Sequence, residues 1–158
     1  MKYVIVEWID DDDYPAYRLD PKPYLERLPQ LAEKLPSGAR DFVLQPSHYE
    51  FGEPKSVKNL KVAELGLWAD GQASIVLRLS PNPWMHTSFL TIEYQGVSAC
   101  TIEVDEDEDE EYPQGLDRLL LDEILPHVNG CTHEIKFTGG LINITCKDLT
   151  ARWEEKRP

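Results

Sequence analysis

Residues 66–80 read GLWADGQASIVLRLS, and this stretch predicts the type of fold. Ile75, Leu77 and Leu79 place an apolar side chain at every second position, which is typical of a β-strand with one buried face. Asp70-Gly71 comes before this strand, and both residues tolerate the positive φ angles of a tight turn. The stretch therefore predicts a β-hairpin in an antiparallel sheet.

The same alternation recurs on both sides of the hairpin. Apolar residues alternate with polar ones over 90–94 and again over 100–104, so two further strands are expected. Residues 3–9 form a first strand candidate. Gly139-Gly140 separates two more apolar runs and predicts a second hairpin. The alternation changes phase after Cys146, and a β-bulge near Lys147-Asp148 would absorb the extra residue.

Two segments have helical spacing instead. The first begins after Asp20-Pro21, a typical helix start, and ends at 36–38; its apolar residues are Tyr24, Leu28, Leu31 and Leu35. Pro29 lies inside this segment and predicts a kink or two short helices. The second predicted helix runs from Gly115 to Leu125 and carries Leu116, Leu119, Leu120, Glu123 and Ile124 on one face.

Together these patterns predict an α+β fold. The 158 residues fit one domain, 1–158, and 41% of them are hydrophobic, which is enough for a core without disulfides or metal. We expect an antiparallel β-sheet meander with two or three short helices. No apolar run approaches the roughly 20 residues that a membrane-spanning helix needs.

The charge is strongly acidic. Net charge is −13, from 29 acidic and 16 basic residues. The electrostatic field of this charge repels phosphates, so neither nucleic acid nor an anionic membrane is an expected partner. It attracts basic proteins, so a basic protein is the expected partner. An alternative is that the acidity serves solubility alone.

Two acidic runs contribute much of this charge. Asp10–Asp13 predicts a solvated turn, because four adjacent carboxylates repel one another. A mobile acidic loop is predicted over 105–113, and neither run has the ligand spacing of a calcium loop. The second run is a candidate partner surface and consists of Asp105, Glu106, Asp107, Glu108, Asp109, Glu110 and Glu111.

The cysteines and the first residues indicate the compartment. Cys100, Cys131 and Cys146 cannot all pair within one chain, and no Cys-x-x-Cys motif occurs. Reduced thiols and a cytoplasmic location are the expectation. Residues 1–9 do not predict a signal peptide, because their apolar run is too short and acidic residues follow it too early.

The densest group of reactive residue types spans 122–134. A metal site would need His127, Cys131 and His133 to converge, but their spacing matches no established zinc pattern, so we expect no metal and no cofactor. The sequence leaves open a metal-assisted hydrolase, whose residues would be Asp122, Glu123, His127, His133 and Glu134. It also contains no Gly-x-Ser-x-Gly motif and no Gly-rich phosphate loop, so an enzyme is the less favoured class.

Two loops combine a histidine with aromatic residues, at 48–51 and at 82–86. Tyr49, Phe51 and Trp84 are candidate anchors for a partner, because exposed aromatic side chains dominate many interfaces. The alternative is that they cap the ends of the sheet.

Several stretches resemble small bacterial proteins of unassigned function, some of which are similar to immunity proteins that neutralise a toxin by binding it. These stretches are 24–29, 35–40, 48–51, 90–97, 121–127 and 133–135. The resemblance carries over no functional residue. It implies a protein-binding module, an immunity-type inhibitor of a basic partner; the alternatives are the hydrolase and a structural domain without catalytic role. The oligomeric state is not predicted.

Overall fold

Turn residues and alternating apolar residues divide the chain into strands and helices. This computed structural model describes residues 1–106 and 115–155, which contain ten strands and two helices. In chain order they are β1 (Ile5–Ile9), β2 (Ala16–Asp20), α1 (Lys22–Ala32), α2 (Ser37–Val43), β3 (Lys61–Trp68), β4 (Ser74–Ser80), β5 (Ser88–Gln95), β6 (Ala99–Val104), β7 (Leu119–His127), β8 (Gly130–Phe137), β9 (Gly140–Cys146) and β10 (Asp148–Glu155).

The strands form three antiparallel sheets. β1 and β2 form a hairpin; sheet I has the strand order β10-β5-β4-β3, and sheet II has the order β6-β9-β8-β7. The predicted α+β class and antiparallel pairing are confirmed, but the expected single meander is wrong. The chain crosses between the two larger sheets twice, after β5 and after β9.

Both predicted hairpins are confirmed. β3 and β4 pair from Trp68 opposite Ser74, and Gly71 in the turn has φ of +78°. β8 and β9 pair from Phe137 opposite Gly140. Gly71 and Gly140 both have positive φ angles, which favour glycine, and this is why the sequence predicts turns at these positions.

Three local predictions need correction. The segment predicted as a helix over 115–125 forms β7 instead, because residues 119–124 are buried on both faces and such a run has no clear period. The phase change after Cys146 is a crossing from sheet II to sheet I at Lys147, where a bulge was expected. Pro29 lies inside one continuous helix, α1, so of the two outcomes predicted for it the division into two short helices is wrong.

One cluster of buried hydrophobic residues joins the inner faces of both sheets and the two helices. α1 contributes Tyr24 and Leu28 and lies against β7, while α2 packs on β10. The packing of α2 is close at Gly38, where a Cβ atom would lie 1.9 Å from the carbonyl oxygen of Leu149. The carboxylate of Asp148 accepts hydrogen bonds from the amides of Gly38 and Ala39, so β10 also caps this helix.

Candidate functional site

His48 and Tyr49, from the histidine cluster at 48–51, lie in the core. Asp122 on β7 is 1% exposed, and its Oδ1 lies 2.8 Å from Nε2 of His48, in the segment after α2. Its Oδ2 lies 2.8 Å from Nε2 of His133 on β8. The other ring nitrogen of His133 lies 2.8 Å from the hydroxyl of Tyr94 on β5. One carboxylate therefore connects sheet I, sheet II and the segment after α2.

The partners of each ring nitrogen determine where the protons lie. Nδ1 of His48 is 3.2 Å from the carbonyl oxygen of Phe42, and its Nε2 faces the Asp122 carboxylate. Both partners accept hydrogen bonds, so both nitrogens of His48 donate and the ring is an imidazolium. The Tyr94 hydroxyl lies against Nδ1 of His133, and Nε2 of His133 faces the Asp122 carboxylate. The buried set thus holds the negative charge of Asp122 beside the positive charge of His48.

The pKa of the Asp122 carboxyl group agrees with this pairing. Burial alone raises its pKa, but the charge of His48 and the hydrogen bonds from His133 and His48 outweigh burial, so the net pKa lies well below its usual range. The carboxyl group is therefore ionised inside the core.

Two tyrosines bind the backbone of β7 next to this carboxylate. Tyr49 donates its hydroxyl proton to the carbonyl oxygen of Asp122 over 3.1 Å, and Tyr24 donates to that of Ile124 over 2.6 Å. Burial raises the pKa of Tyr24, Tyr49 and Tyr94 above the ordinary value, and the negative charge of Asp122 adds to the rise. All three hydroxyls stay protonated, and those of Tyr24 and Tyr49 donate to β7. Tyr49 belongs to the core, so it does not form part of an outer partner surface.

Of the residues of the hydrolase alternative, Asp122 and His133 meet in the core, but Glu123, His127 and Glu134 do not join them. Glu123 points to the opposite face of sheet II from Asp122 and accepts hydrogen bonds from the amides of residues 2–4 at 2.6–2.7 Å. Glu134 pairs with the amino group of Met1, 2.6 Å away, and His127 is exposed at the end of β7. Among the residues that the structure describes, no group of three His, Cys, Asp or Glu side chains could hold a metal ion.

Two further features are a pair of buried thiols and a groove on the surface. Cys131 faces Cys146 across the β8–β9 pair at 3.7 Å, and its pKa is raised by the hydrogen bond with Cys146 and by burial. A groove of about 850 Å³ lies on the outer face of sheet I. It is lined by Val76, Arg78, Phe89, Thr91, Glu93, Arg152, Glu154 and Glu155, without a histidine or cysteine.

The second histidine cluster, at 82–86, forms a tight surface turn. The amide of Trp84 donates to Oδ1 of Asn82 over 3.0 Å, and the amides of Met85 and His86 donate to the Asn82 carbonyl oxygen. The amide of Asn82 in turn donates to Nδ1 of His86 over 3.1 Å. Four hydrogen bonds hold this turn, yet the Trp84 side chain is 94% exposed.

The turn is also attached to the neighbouring loop, 51–60. Nε2 of His86 donates to the carbonyl oxygen of Ser56 over 2.9 Å, and the Asn59 side chain lies 2.9 Å from the sulfur of Met85. The His86 ring stacks near Trp153 of β10 with ring centroids 6.2 Å apart. We call these two segments, 51–60 and 82–86, the paired loops.

Phe51 lies on the paired loops as predicted for a surface residue. Its side chain is 46% exposed, and the ammonium group of Lys58 sits 5.7 Å from the ring centroid. The pKa of Lys58 is lowered by burial and by the nearby charge of Arg118. The paired loops therefore combine two exposed aromatic rings with a local positive charge.

The acidic run begins near the same end of the molecule. Asp105 and Glu106 are exposed, while residues 107–111 lie outside the described residues, as does most of the predicted loop 105–113. The Asp105 amide donates to Gly139, and the carboxylate lies 3.7 Å from Lys136. The amide of Thr138, in the β8–β9 turn, donates to the carbonyl oxygen of Arg118. The carbonyl oxygen of the next residue, Leu119, accepts from the amide of Asn59 in the paired loops.

Sequence reasoning identified Phe51 and Trp84 as surface aromatics but missed the role of Asp122 as the centre of a buried network. This role was missed because residues 115–125 were predicted to form a helix. If the segment is interpreted as a strand, the alternation of its side chains places Asp122 and Ile124 on one inward face, together with His133 and Ile135 of β8.

Comparison with known proteins found no matching family model, curated protein or solved structure. Within the described residues, neither helix combines the length and the apolar character needed to cross a membrane.

Proposed function

We propose that this protein is a protein-binding module, an immunity-type inhibitor that captures a basic partner with the paired loops. Trp84 is the anchor of this surface. The observation that carries the proposal is the contrast between its 94% exposed indole and the four hydrogen bonds that hold its turn.

A rigid, exposed tryptophan is well suited to binding. An indole buries a large apolar area on contact, and tryptophan is among the residues most enriched at interface hot spots. Because the turn is already ordered, little conformational entropy is lost when a partner covers it. Phe51 on the adjoining loop adds a second apolar contact.

The charge of the chain defines the partner. A net charge of −13 attracts a basic protein over long range and speeds encounter, while close contacts set the lifetime of the complex. Lys58 stands beside Phe51, so the partner surface directly opposite it needs an acceptor such as a carbonyl or carboxylate. The expected partner is therefore basic overall, with an apolar pocket for Trp84.

The first test is capture of a partner from the source organism, followed by binding kinetics with the purified pair. Trp84→Ala should raise the dissociation rate roughly 30-fold or more, as expected for a hot-spot residue worth about 2 kcal/mol or more. The association rate of the unchanged protein should fall steeply from low to physiological salt, where screening acts over about 8 Å.

Tyr14→Ala is the matched control, because Tyr14 is also an exposed aromatic residue, 84% exposed, but lies between β1 and β2. It should leave the dissociation rate unchanged. An equal loss for both variants, an acidic partner, or an association rate indifferent to salt would refute the proposal. Inhibition itself is tested by adding this protein to an activity assay of the captured partner.

A further inference from the structure

The edges of the two large sheets are not protected equally. On the β7 edge of sheet II, the carbonyl groups of Asp122 and Ile124 accept hydrogen bonds from tyrosine hydroxyls. On the β10 edge of sheet I, α2 packs against the strand. The β3 edge carries a register shift between Val62 and Glu64. Bulges and covering elements are the usual means by which proteins prevent pairing at sheet edges.

The β6 edge has none of these features in the part of the chain that the structure describes. β6 is the outermost strand of sheet II, and its register with β9 runs without interruption from Ala99 opposite Thr145 to Val104 opposite Gly140. All six side chains are exposed. Glu103 is the single charged residue of the strand. An even, mostly uncharged edge of this kind is competent to pair with another strand.

The apolar side chains of β6 extend the inner face of sheet II beyond the core. Ile102 pairs with Ile142 and lies on the same face, but Ile142 is fully buried whereas Ile102 is 48% exposed. Val104, on that face too, is 54% exposed, and Cys100 is exposed. Nothing among the described residues covers this row of three side chains.

The backbone of β6 identifies which groups face outward. The amide of Asp105 donates to the carbonyl oxygen of Gly139, which continues the β6–β9 register. In an antiparallel ladder, residues bonded to a given neighbour alternate with residues whose amide and carbonyl face the other side. The free edge therefore presents the amides and carbonyls of Cys100, Ile102 and Val104.

We propose that β6 is a homodimerisation edge, where β6 of a second copy of this chain pairs antiparallel with Ile102 opposite Ile102. This register pairs all three outward-facing residues, because Cys100 then lies opposite Val104 of the other copy. The apolar rows of the two copies meet on one face, and sheet II becomes half of a continuous eight-stranded sheet. The contact is isologous and closed by a two-fold axis.

The charges of the strand fit this register. Glu103 lies opposite Thr101 of the other copy, and Asp105 lies opposite Ala99, so no carboxylate faces another. The two Asp105 residues are separated by six positions, about 20 Å at 3.3 Å per residue. That distance exceeds the screening length of about 8 Å at physiological salt, so the two Asp105 carboxylates scarcely oppose pairing. The net charge of −13 on each copy still disfavours association at low salt.

Sedimentation velocity of the full chain over a wide concentration range tests the dimer. The dimer fraction should rise with protein concentration and should be larger at high salt than at low salt. Ile102→Lys should abolish the dimer, because the two lysines would face each other. Leu67→Lys is the matched control, since Leu67 is a 63% exposed residue of the edge strand β3, and it should leave the dimer intact.

Crosslinking in an otherwise unchanged chain tests the register independently of any folding defect. Val104→Cys should be crosslinked to Cys100 of the other copy by a short bismaleimide, whereas Glu103→Cys, on the opposite face, should not. A monomer at all concentrations and salts would overturn the proposal. So would a dimer that survives Ile102→Lys but is lost in Leu67→Lys, or crosslinking that is equal in the two cysteine variants.

Discussion

The two histidine clusters differ in what their ring nitrogens contact. His48 binds the ionised carboxylate of Asp122 and a carbonyl group, so it carries a charge that is hidden from water. His86 accepts from one backbone amide and donates to one carbonyl, so it is neutral and organises only the paired loops. The aromatic neighbour of the first, Tyr49, is buried, while the aromatic neighbour of the second, Trp84, projects into solvent.

The difference shows how a charge partner changes the role of a histidine. Buried ionic contacts link elements that are distant in the sequence, here residues 48, 122 and 133. Removing one partner leaves the charge of the other buried and uncompensated. A neutral histidine bonded to backbone groups stabilises a turn and leaves its neighbours free to face outward. The first cluster serves the fold, and the second presents a surface.

The largest effect is expected from Asp122→Ala. This change leaves the His48 imidazolium buried without its carboxylate, which typically costs about 3–5 kcal/mol, against a total stability of roughly 5–15 kcal/mol for a domain. Chemical denaturation should report the loss. Asp41→Ala, an exposed aspartate of α2, is the control and should stay within about 0.5 kcal/mol of the unchanged protein. Equal stability of the two variants would mean that the buried pair contributes nothing.

The second largest effect is expected at alkaline pH, which should destabilise the first cluster. The pKa values of Tyr24, Tyr49 and Tyr94 are raised in the folded state, so the folded protein holds protons that the unfolded chain releases above about pH 10. Their contribution to stability is therefore present below pH 10 and is lost as the pH rises further. Far-UV circular dichroism should report unfolding as the pH rises above about 10. In Tyr24→Phe, the slope of unfolding free energy against pH should be shallower by one proton. An equal slope for this variant and the unchanged protein would contradict the prediction.

The smallest effect concerns the second cluster at mildly acidic pH. Burial lowers the pKa of His86, although its backbone hydrogen bonds with Ser56 and Asn82 oppose the shift. Its contribution to stability is present above about pH 6.5 and is lost as the pH falls below that value. Protonated Nδ1 cannot accept from the Asn82 amide, so a bond worth about 0.5–1.5 kcal/mol is lost.

Amide hydrogen exchange resolved by NMR should therefore report faster exchange at Asn82 and Trp84 near pH 5, after correction for the intrinsic rate, with little change in β7 and β8. His86→Gln is the comparison, because its exchange protection should not depend on this titration. If β7 opens together with the paired loops, the two clusters are not independent and the contrast between them fails.

Local signals in the sequence predicted the features that depend on local chemistry. Asp70-Gly71 and Gly139-Gly140 predicted two hairpins that the structure contains, and period-two runs predicted β4, β5 and β6. Tyr49, Phe51 and Trp84 were predicted together as partner anchors; of these, Phe51 and Trp84 are exposed and Tyr49 is buried. Turn conformation and side-chain alternation depend on a few adjacent residues, which is why these predictions were confirmed.

Only the tertiary structure decided the assignment of β7, the division into three sheets and the burial of His48 and Tyr49. A strand buried on both faces has no amphipathic period, so its type depends on what covers it. The ionic partner of His48 is a carboxylate 74 residues away in the chain, which no local pattern reveals. Composition and pattern thus determined an acidic α+β protein with hairpins, while long-range pairing determined which reactive side chains are buried and which face solvent.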